Sequence, residues 1–327
     1  MRWILILASW VAASFAGAAT FQENFDTDPQ THGWQIFSDA ELFRWNATNQ
    51  NLAVTWDSSE PNSYFQLPLG TILTRHDDFG FALDLRLDDI AAGVNTNKPT
   101  TFALAFGFQN ADDAERTNFF RGSGHDSPNL VEFNFFSDTG FGPTIWPAIW
   151  STNSILSYNG TSDFTILDLP VSVVLHIAMN YTASNETAQV SITANGAPLG
   201  FVAPITLSRS FTQFRLDTFA IESYSDAGQS SSFPGSLFAH GTVDNVVVTA
   251  PPPPVENLRA VFAHGQWQVV FLSHTNWSYA LEATTDFRKW NETSSRASGT
   301  GVELSLADEN AANLSARFYR VSAQPVD

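Results

Sequence analysis

The sequence of 327 residues contains no cysteine. Disulfides, thiol chemistry and cysteine-based zinc sites are therefore excluded, and stability must come from a buried core. Basic residues are scarce: 15 lysines and arginines stand against 33 aspartates and glutamates, for a net charge of -18. Residues 255–327 hold six basic and eight acidic residues, so nearly all of the acidic excess precedes them. A surface this acidic repels nucleic acid and anionic lipid, and we expect neither as a partner.

The sequence also lacks an apolar run long enough to span a bilayer, which takes about 20 residues. One shorter apolar stretch, residues 3–15, follows a basic start at Arg2 and precedes Ala16-Gly17-Ala18. This order is typical of a secretory signal peptide with cleavage near Ala18, although an uncleaved anchor is an alternative. We predict a signal peptide at residues 1–18 and a secreted, extracellular or cell-envelope protein without a membrane span.

Helical periodicity is missing as well, since no helical pattern in the mature chain exceeds about two turns. Instead, apolar residues alternate with polar or small ones at 79–87, 101–108 and 173–181, the period of β strands. Phenylalanine numbers 28, which favours packed sheets over disorder. Many antiparallel strands in one long domain imply two stacked sheets. The predicted fold class is all-β, with a two-sheet antiparallel jelly-roll sandwich over residues 19–249.

Four consecutive prolines at 251–254 mark a domain boundary. Prolines cannot donate ladder hydrogen bonds and favour an extended chain, so residues 250–254 are predicted to be a stiff linker. Alternating strands follow at 266–271, 278–282, 302–306 and 317–321. Residues 255–327 resemble the small fibronectin type III-like sandwiches of secreted bacterial proteins. We therefore predict a small C-terminal β-sandwich that acts as a spacer or docking domain.

The longer domain resembles a known family in the order of its motifs. They are FQENFDTDPQTHGWQIF at 21–37, VTWD at 54–57, LVEFNFFSDTGFGPT at 130–144 and GTVDNVVVT at 241–249. This order is similar to that of the concanavalin A-like lectin/glucanase jelly rolls, which include laminin-G-like modules. The resemblance implies a jelly roll. It implies a fold more firmly than a function, because lectins and glucanases share the family.

The resemblance does not supply a complete catalytic set. Glucanases of the superfamily carry Glu-x-Asp-x-x-Glu on one strand; here Glu132 matches the first acid, but Asn134 and Ser137 replace the other two. The next carboxylate, Asp138, lies about 20 Å along a straight strand, too far for a glycosidase pair. Asp84 on a neighbouring strand could supply a partner. We assign no catalytic residue.

The same stretch is a candidate binding strand. Glu132 and Asn134 share one strand face and offer an acceptor beside an amide, although a solvated face is an equal alternative. Trp146 and Trp150 follow in a Gly/Pro-rich segment and are either an exposed stacking surface for sugars or part of the core. The candidate ligand-binding residues are Glu132, Asn134, Trp146, Trp150, Asp84 and Arg86.

A calcium ion is implied by the resemblance. In related carbohydrate-binding jelly rolls, an acidic residue near the start and an aspartate on the final strand hold a structural Ca²⁺, which prefers oxygen ligands. The matching residues are Glu23 and Asp244. The first and last strands of a jelly roll commonly lie side by side, which would bring these residues together. Alternatively, Asp26 and Asp28 only shape a turn before Pro29.

The leading functional prediction is a secreted, non-catalytic glycan-binding or adhesion protein with a polysaccharide or glycan as its partner. One alternative is a polysaccharide-acting glycoside hydrolase or lyase of the concanavalin A-like superfamily. The other is a structural extracellular module that binds another protein. No phosphate loop, dinucleotide fingerprint or close histidine pair adds a further candidate.

Overall fold

The computed structural model describes residues 18–58, 60–92, 104–116, 129–137, 142–150, 165–207, 213–223, 237–263, 266–308 and 317–326. In these ranges the strands form four sheets, all antiparallel, and the single α-helix, α1 (Ala111–Ala114), is one turn long. Short 3-10 helices occupy Pro29–His32 and Ala40–Leu42. No helix in the described ranges has the length and apolar character to cross a membrane. The predicted signal peptide lies outside the described residues except for Ala18.

The first sixteen strands form a two-sheet sandwich. In chain order they are β1 (Ala19–Glu23), β2 (Gln35–Phe37), β3 (Phe43–Asn46), β4 (Asn51–Asp57), β5 (Ser63–Leu73), β6 (Phe79–Ala92), β7 (Leu104–Gln109), β8 (Leu130–Phe136), β9 (Thr144–Trp150), β10 (Thr165–Ile166), β11 (Val174–Thr182), β12 (Thr187–Ala194), β13 (Ala197–Pro198), β14 (Ile205–Thr206), β15 (Leu216–Ser223) and β16 (Leu237–Ala250). The nine-stranded sheet has the order β13-β12-β11-β6-β16-β4-β3, with β1 on β16 and β14 on β12. The seven-stranded sheet has the order β10-β9-β8-β7-β15-β5-β2. The predicted fold class, an all-β two-sheet antiparallel sandwich, is confirmed.

Alternation along each strand decides which side chains enter the core. Phe81 and Leu83 on β6, and Phe106 and Phe108 on β7, point between the two sheets and are almost completely buried. The rings of Phe81 and Phe108 lie 6.1 Å apart across the sandwich. The core is therefore built from the apolar half of each alternating pattern.

Three tryptophans near the N-terminus also pack as structural residues. Trp34 stacks on Phe65 with ring centroids 4.8 Å apart, and Trp56 is fully buried. Trp45 is half-buried and donates its indole N–H to the carbonyl oxygen of Phe25 at 2.9 Å. These contacts anchor the first strands to the sandwich.

The seven strands after the prolines form two smaller sheets. They are β17 (Glu256–Ala263), β18 (Gln266–Leu272), β19 (Trp277–Thr284), β20 (Asn291–Glu292), β21 (Ala297–Ser298), β22 (Glu303–Ala307) and β23 (Phe318–Pro325). One sheet has the order β17-β18-β22; in the other, β19 pairs with β20, β21 and β23. Phe271 and Tyr279 pack together with ring centroids 5.1 Å apart. The prediction of a second, small sandwich is confirmed, and its fibronectin type III-like character stays a prediction.

Trp277 joins the small sandwich to the large one. Its side chain is fully buried, meets the ring of Phe21 edge-on at 5.4 Å, and donates its indole N–H to the carbonyl oxygen of Leu69 at 2.7 Å. The neighbouring Asn276 donates its side-chain amide to the carbonyl oxygen of Pro68 at 2.9 Å. The two sandwiches therefore pack directly against each other, in addition to being joined by the prolines.

Candidate functional site

Alternate residues of β8 point to opposite sides of the seven-stranded sheet. Val131, Phe133 and Phe135 face the core, so Glu132 and Asn134 share the outer side, as predicted. The alternative of a solvated strand face is wrong, because Glu132 is only 4% exposed and Asn134 only 1%. We call the outer side of the seven-stranded sheet the front face. It holds a carboxylate and an amide that are buried outside the main core.

The strand beside this pair carries only small residues on the front face. Gly107 on β7 is directly opposite Glu132, and Ala105 is opposite Asn134. A Cβ atom added at Gly107 would lie 2.5 Å from the Cα atom of Glu132, closer than such atoms can approach. Glycine is therefore required at this position.

A second buried carboxylate, which the sequence patterns did not reveal, lies across β7. Glu222 on β15 is opposite Ala105 and so falls in the same row as Asn134. It is fully buried, and burial raises the pKa of its carboxyl well above the ordinary 4.5. The alternation of Glu222 with the apolar Phe219 and Ile221 was the signal that could have assigned Glu222 to the outer side. A register shift near the start of β15 interrupts that alternation.

The helix α1 covers the front face over β5, β15 and β7, where Ala114 packs with Tyr64, Ala220 and Ala105. The hydroxyl of Tyr64 donates to the carbonyl oxygen of Ala114 at 3.3 Å, and the side-chain amide of Gln66 donates to Glu115 Oε1 at 2.6 Å. Gln109 contributes a further buried amide, whose Nε2 lies 3.4 Å from Gln66 Oε1. These contacts fix the amide groups in position beside the two carboxylates.

Trp146 and Trp150 lie on β9 at the side of the front face. They are 7% and 6% exposed, and their rings meet edge-on with centroids 5.7 Å apart. With Leu130, Phe136 and Ala148 they form a small separate apolar cluster. The prediction of an exposed stacking surface is therefore wrong, and the core alternative describes these rings better. The reason is that the outer side of β8 and β9 has an apolar cluster of its own.

Asn134 connects this cluster to the polar row. Its side-chain nitrogen donates to the carbonyl oxygen of Trp146 at 3.2 Å. Its Oδ1 atom is buried and accepts no hydrogen bond in the described part of the chain. Burying such an oxygen atom costs free energy of folding unless another group donates a hydrogen bond to it.

Asp84 and Arg86 do not belong to the front face. Both lie on β6 in the nine-stranded sheet, and their side chains point away from the core. Asp84 is held by His176 Nδ1 at 2.9 Å and by Asn245 Nδ2 at 2.9 Å. The suggestion that Asp84 could act beside Glu132 is wrong, because the sandwich core separates them. Strand periodicity gives the face of a side chain but not the sheet to which its strand belongs.

Glu23 and Asp244 were predicted as calcium ligands. Their strands do lie side by side, as expected, since β1 pairs with the end of β16. However, Glu23 Oε1 already accepts from the backbone N–H of Phe25 at 2.7 Å, and its Oε2 lies 3.2 Å from His32 Nδ1.

Asp244 has a different set of neighbours. Its Oδ1 accepts from the backbone N–H of Asn245 at 2.7 Å, and burial, opposed by that hydrogen bond, raises the pKa of its carboxyl. Among the described residues, no group of three or more histidine, aspartate or glutamate side chains is placed to hold a metal ion. The carboxylates of Glu23 and Asp244 therefore do not form a preformed calcium site, and calcium stays a prediction from the sequence.

Comparison with known proteins gives matches in structure alone. No protein-family model matches the chain, and no curated protein matches it. Peanut lectin in complex with a 9mer peptide is 12% identical, with 72% of this chain and 99% of that chain covered and a TM-score of 0.43. Lectin II from Ulex europaeus is 11% identical, with 71% and 98% covered and a TM-score of 0.43.

An alginate lyase in complex with alginate tetrasaccharide is also similar. It is 11% identical, with 70% of this chain and 96% of that chain covered and a TM-score of 0.39. At these identities and TM-scores, the likeness does not indicate what this chain binds.

Proposed function

We propose that this protein binds a polysaccharide or glycan through its front face. The observation that carries the proposal is the row of Asn134 and Glu222, with Glu132 and Gln66 in the adjacent row. All four side chains are buried on the outer side of a sheet. Burying carboxylates and amides costs free energy that apolar residues would not. A requirement for ligand recognition accounts for polar groups at positions where stability alone favours apolar ones.

The chemistry of these groups suits sugar hydroxyls, each of which both donates and accepts. The amides of Asn134 and Gln66 can donate and accept, and the carboxylate of Glu132 accepts. The small side chain of Ala105 leaves room for Ala114 of α1 to pack on the middle of the face. The apolar cluster around Trp146 lies along one side, as in ligand sites that are mostly apolar with a few placed polar groups.

The test is binding to a panel of soluble neutral polysaccharides, namely laminarin, galactomannan and xylan, with anionic alginate as a comparison. Asn134→Leu keeps the size of the side chain and removes both hydrogen-bonding groups. We expect it to weaken binding at least tenfold, or about 1.4 kcal/mol. Asn185→Leu, at an exposed turn, is the matched control and should bind as the wild type does. Equal binding by both variants at full folding would overturn the proposal.

A second candidate function is cleavage of the polysaccharide, and Glu222 favours it. Two strand spacings and a two-residue offset put the Cα atoms of Glu132 and Glu222 about 12 Å apart. Side chains that lean towards each other from that distance could reach the separation of about 6.5–9.5 Å used by inverting glycosidases. Glu222, whose pKa is raised by burial, would be the acid, and Glu132 the base.

The two candidates are separated by assaying products. Release of reducing sugar from the panel, abolished by Glu222→Gln and by Glu132→Gln while binding persists, would establish cleavage. Binding by the folded protein without release of any product would support the first candidate function, binding without cleavage.

A further inference from the structure

The outer side of the nine-stranded sheet carries an open groove of about 910 Å³. We call it the back groove. The residues that line it and matter for its chemistry are Asn51, Asp84, Arg86, Thr242, Asp244 and Asn245. Because the core lies between the two sheets, the back groove and the front face lie on opposite sides of the sandwich.

Two irregularities in β16 shape the back groove. The pairing of β16 with β6 shifts register between His240 and Gly241, and again between Asp244 and Val247. Asn245, inside the second shift, has a left-handed backbone with φ of 50°. Bulges turn side chains away from the regular alternation and are common beside binding sites. Here the second one directs Asn245 to Asp84 across the strand pair.

The polar groups of the back groove are already held in place. Asp84 is fixed by His176 Nδ1 and Asn245 Nδ2, each at 2.9 Å. Arg86 pairs with Asp88 at 2.9 Å. Asn51 Oδ1 is buried and receives no hydrogen bond in the described part of the chain. The groove thus presents donors and acceptors that are already positioned.

The mixture of groups indicates the class of ligand. Carboxylates, a guanidinium, amides and a hydroxyl are interleaved across three neighbouring strands, β4, β6 and β16. Arg86 is partly neutralised by Asp88, which disfavours an anionic ligand. The absence of a three-residue metal cluster among the described residues gives no support to a cation. Interleaved donors and acceptors on a shallow, open surface fit a neutral polyhydroxylated chain.

We propose that the back groove is a second saccharide site, and that one chain of this protein bridges two polysaccharide chains. This inference rests on the proposed function of the front face. The two sites face away from each other, so each would engage a separate polysaccharide strand. A polymer with many repeats can therefore be cross-linked, whereas a short oligosaccharide only fills the two sites. Cross-linking of polysaccharide would then be an activity of the single sandwich, without a second copy of the chain.

The experiment compares oligosaccharide and polymer. Titration calorimetry with a hexasaccharide of the polysaccharide that binds best from the panel gives the number of sites, and light scattering with the intact polymer reports bridging. The groove variant is Arg86→Ala with Asn245→Gly, since glycine tolerates the left-handed backbone of Asn245. Arg259→Ala, an exposed ion-paired arginine of the small sandwich, is its control.

The wild type and the control should bind about two hexasaccharides per chain and raise the scattering of the polymer. The groove variant should bind about one and lose the scattering signal, and Asn134→Leu should do the same. A single site in the wild type that Asn134→Leu abolishes would overturn bridging and leave the front-face proposal intact. A single site that only the groove variant abolishes would overturn both the bridging inference and the front-face proposal.

Discussion

Replacing Trp277 tests whether the contact between the two sandwiches stabilises the protein. Trp277 is 0% exposed and bonds to Leu69, whereas Trp267 in the same small sandwich is 54% exposed. Truncating a buried tryptophan to alanine costs about 3–5 kcal/mol. The hydrogen bond lost by the carbonyl of Leu69 adds about 1 kcal/mol. Truncating a surface residue costs about 0.5 kcal/mol.

We therefore expect Trp277→Ala to lower the free energy of unfolding by about 4–6 kcal/mol, and Trp267→Ala by less than about 1 kcal/mol. Urea denaturation, followed by far-ultraviolet circular dichroism, measures both. Trp277→Phe keeps most of the packing against Phe21 and loses the indole donor, so it should fall between them. If the two alanine variants lose equal stability, the contact does not stabilise the protein and the prolines alone connect the sandwiches.

Three further predictions concern the front face and the calcium question. Burial raises the folded pKa of the Glu222 carboxyl above 4.5, so the wild type is most stable below about pH 4.5 and loses stability as the pH rises; Glu222→Gln should therefore gain stability relative to the wild type as the pH is raised above about 4.5, measured by urea denaturation. Gly107→Ala should cost about 1–3 kcal/mol in the same assay, since its Cβ would overlap Glu132. A chelator should leave the melting temperature unchanged, because Glu23 is already engaged by Phe25 and His32; a clear drop would support the calcium prediction.

The alternation of side chains was enough to predict the main strands and the fold class. The predicted strands at 79–87 and 173–181 are β6 and β11, although β6 continues to Ala92. The side shared by Glu132 and Asn134 was also predictable, because the period of a strand assigns faces. Where the structure describes the chain, its helices are short, as the missing helical period predicted.

The assembly of the candidate site was not predictable in the same way. Glu222 lies far from Glu132 in sequence and reaches the same face only through the pairing of β15 with β7. Asp84 and Glu132 are both carboxylates on apolar strand patterns, but their strands belong to different sheets. The burial of Trp146 depends on a cluster gathered from β8 and β9. Each of these facts is set by long-range pairing, which a single strand pattern does not record.

The pairing of β1 with β16 has a mechanical consequence. Ala19 lies opposite Ala250, so the two ends of the large sandwich emerge side by side from one strand pair. A force that pulls these ends apart would break the backbone hydrogen bonds of that pair one after another, rather than shearing them together. A protein tethered at one end and loaded through its small sandwich would therefore open first by peeling β1 from β16. The buried ring of Trp277, which contacts Phe21 on β1, lies where it would resist the first step of that opening.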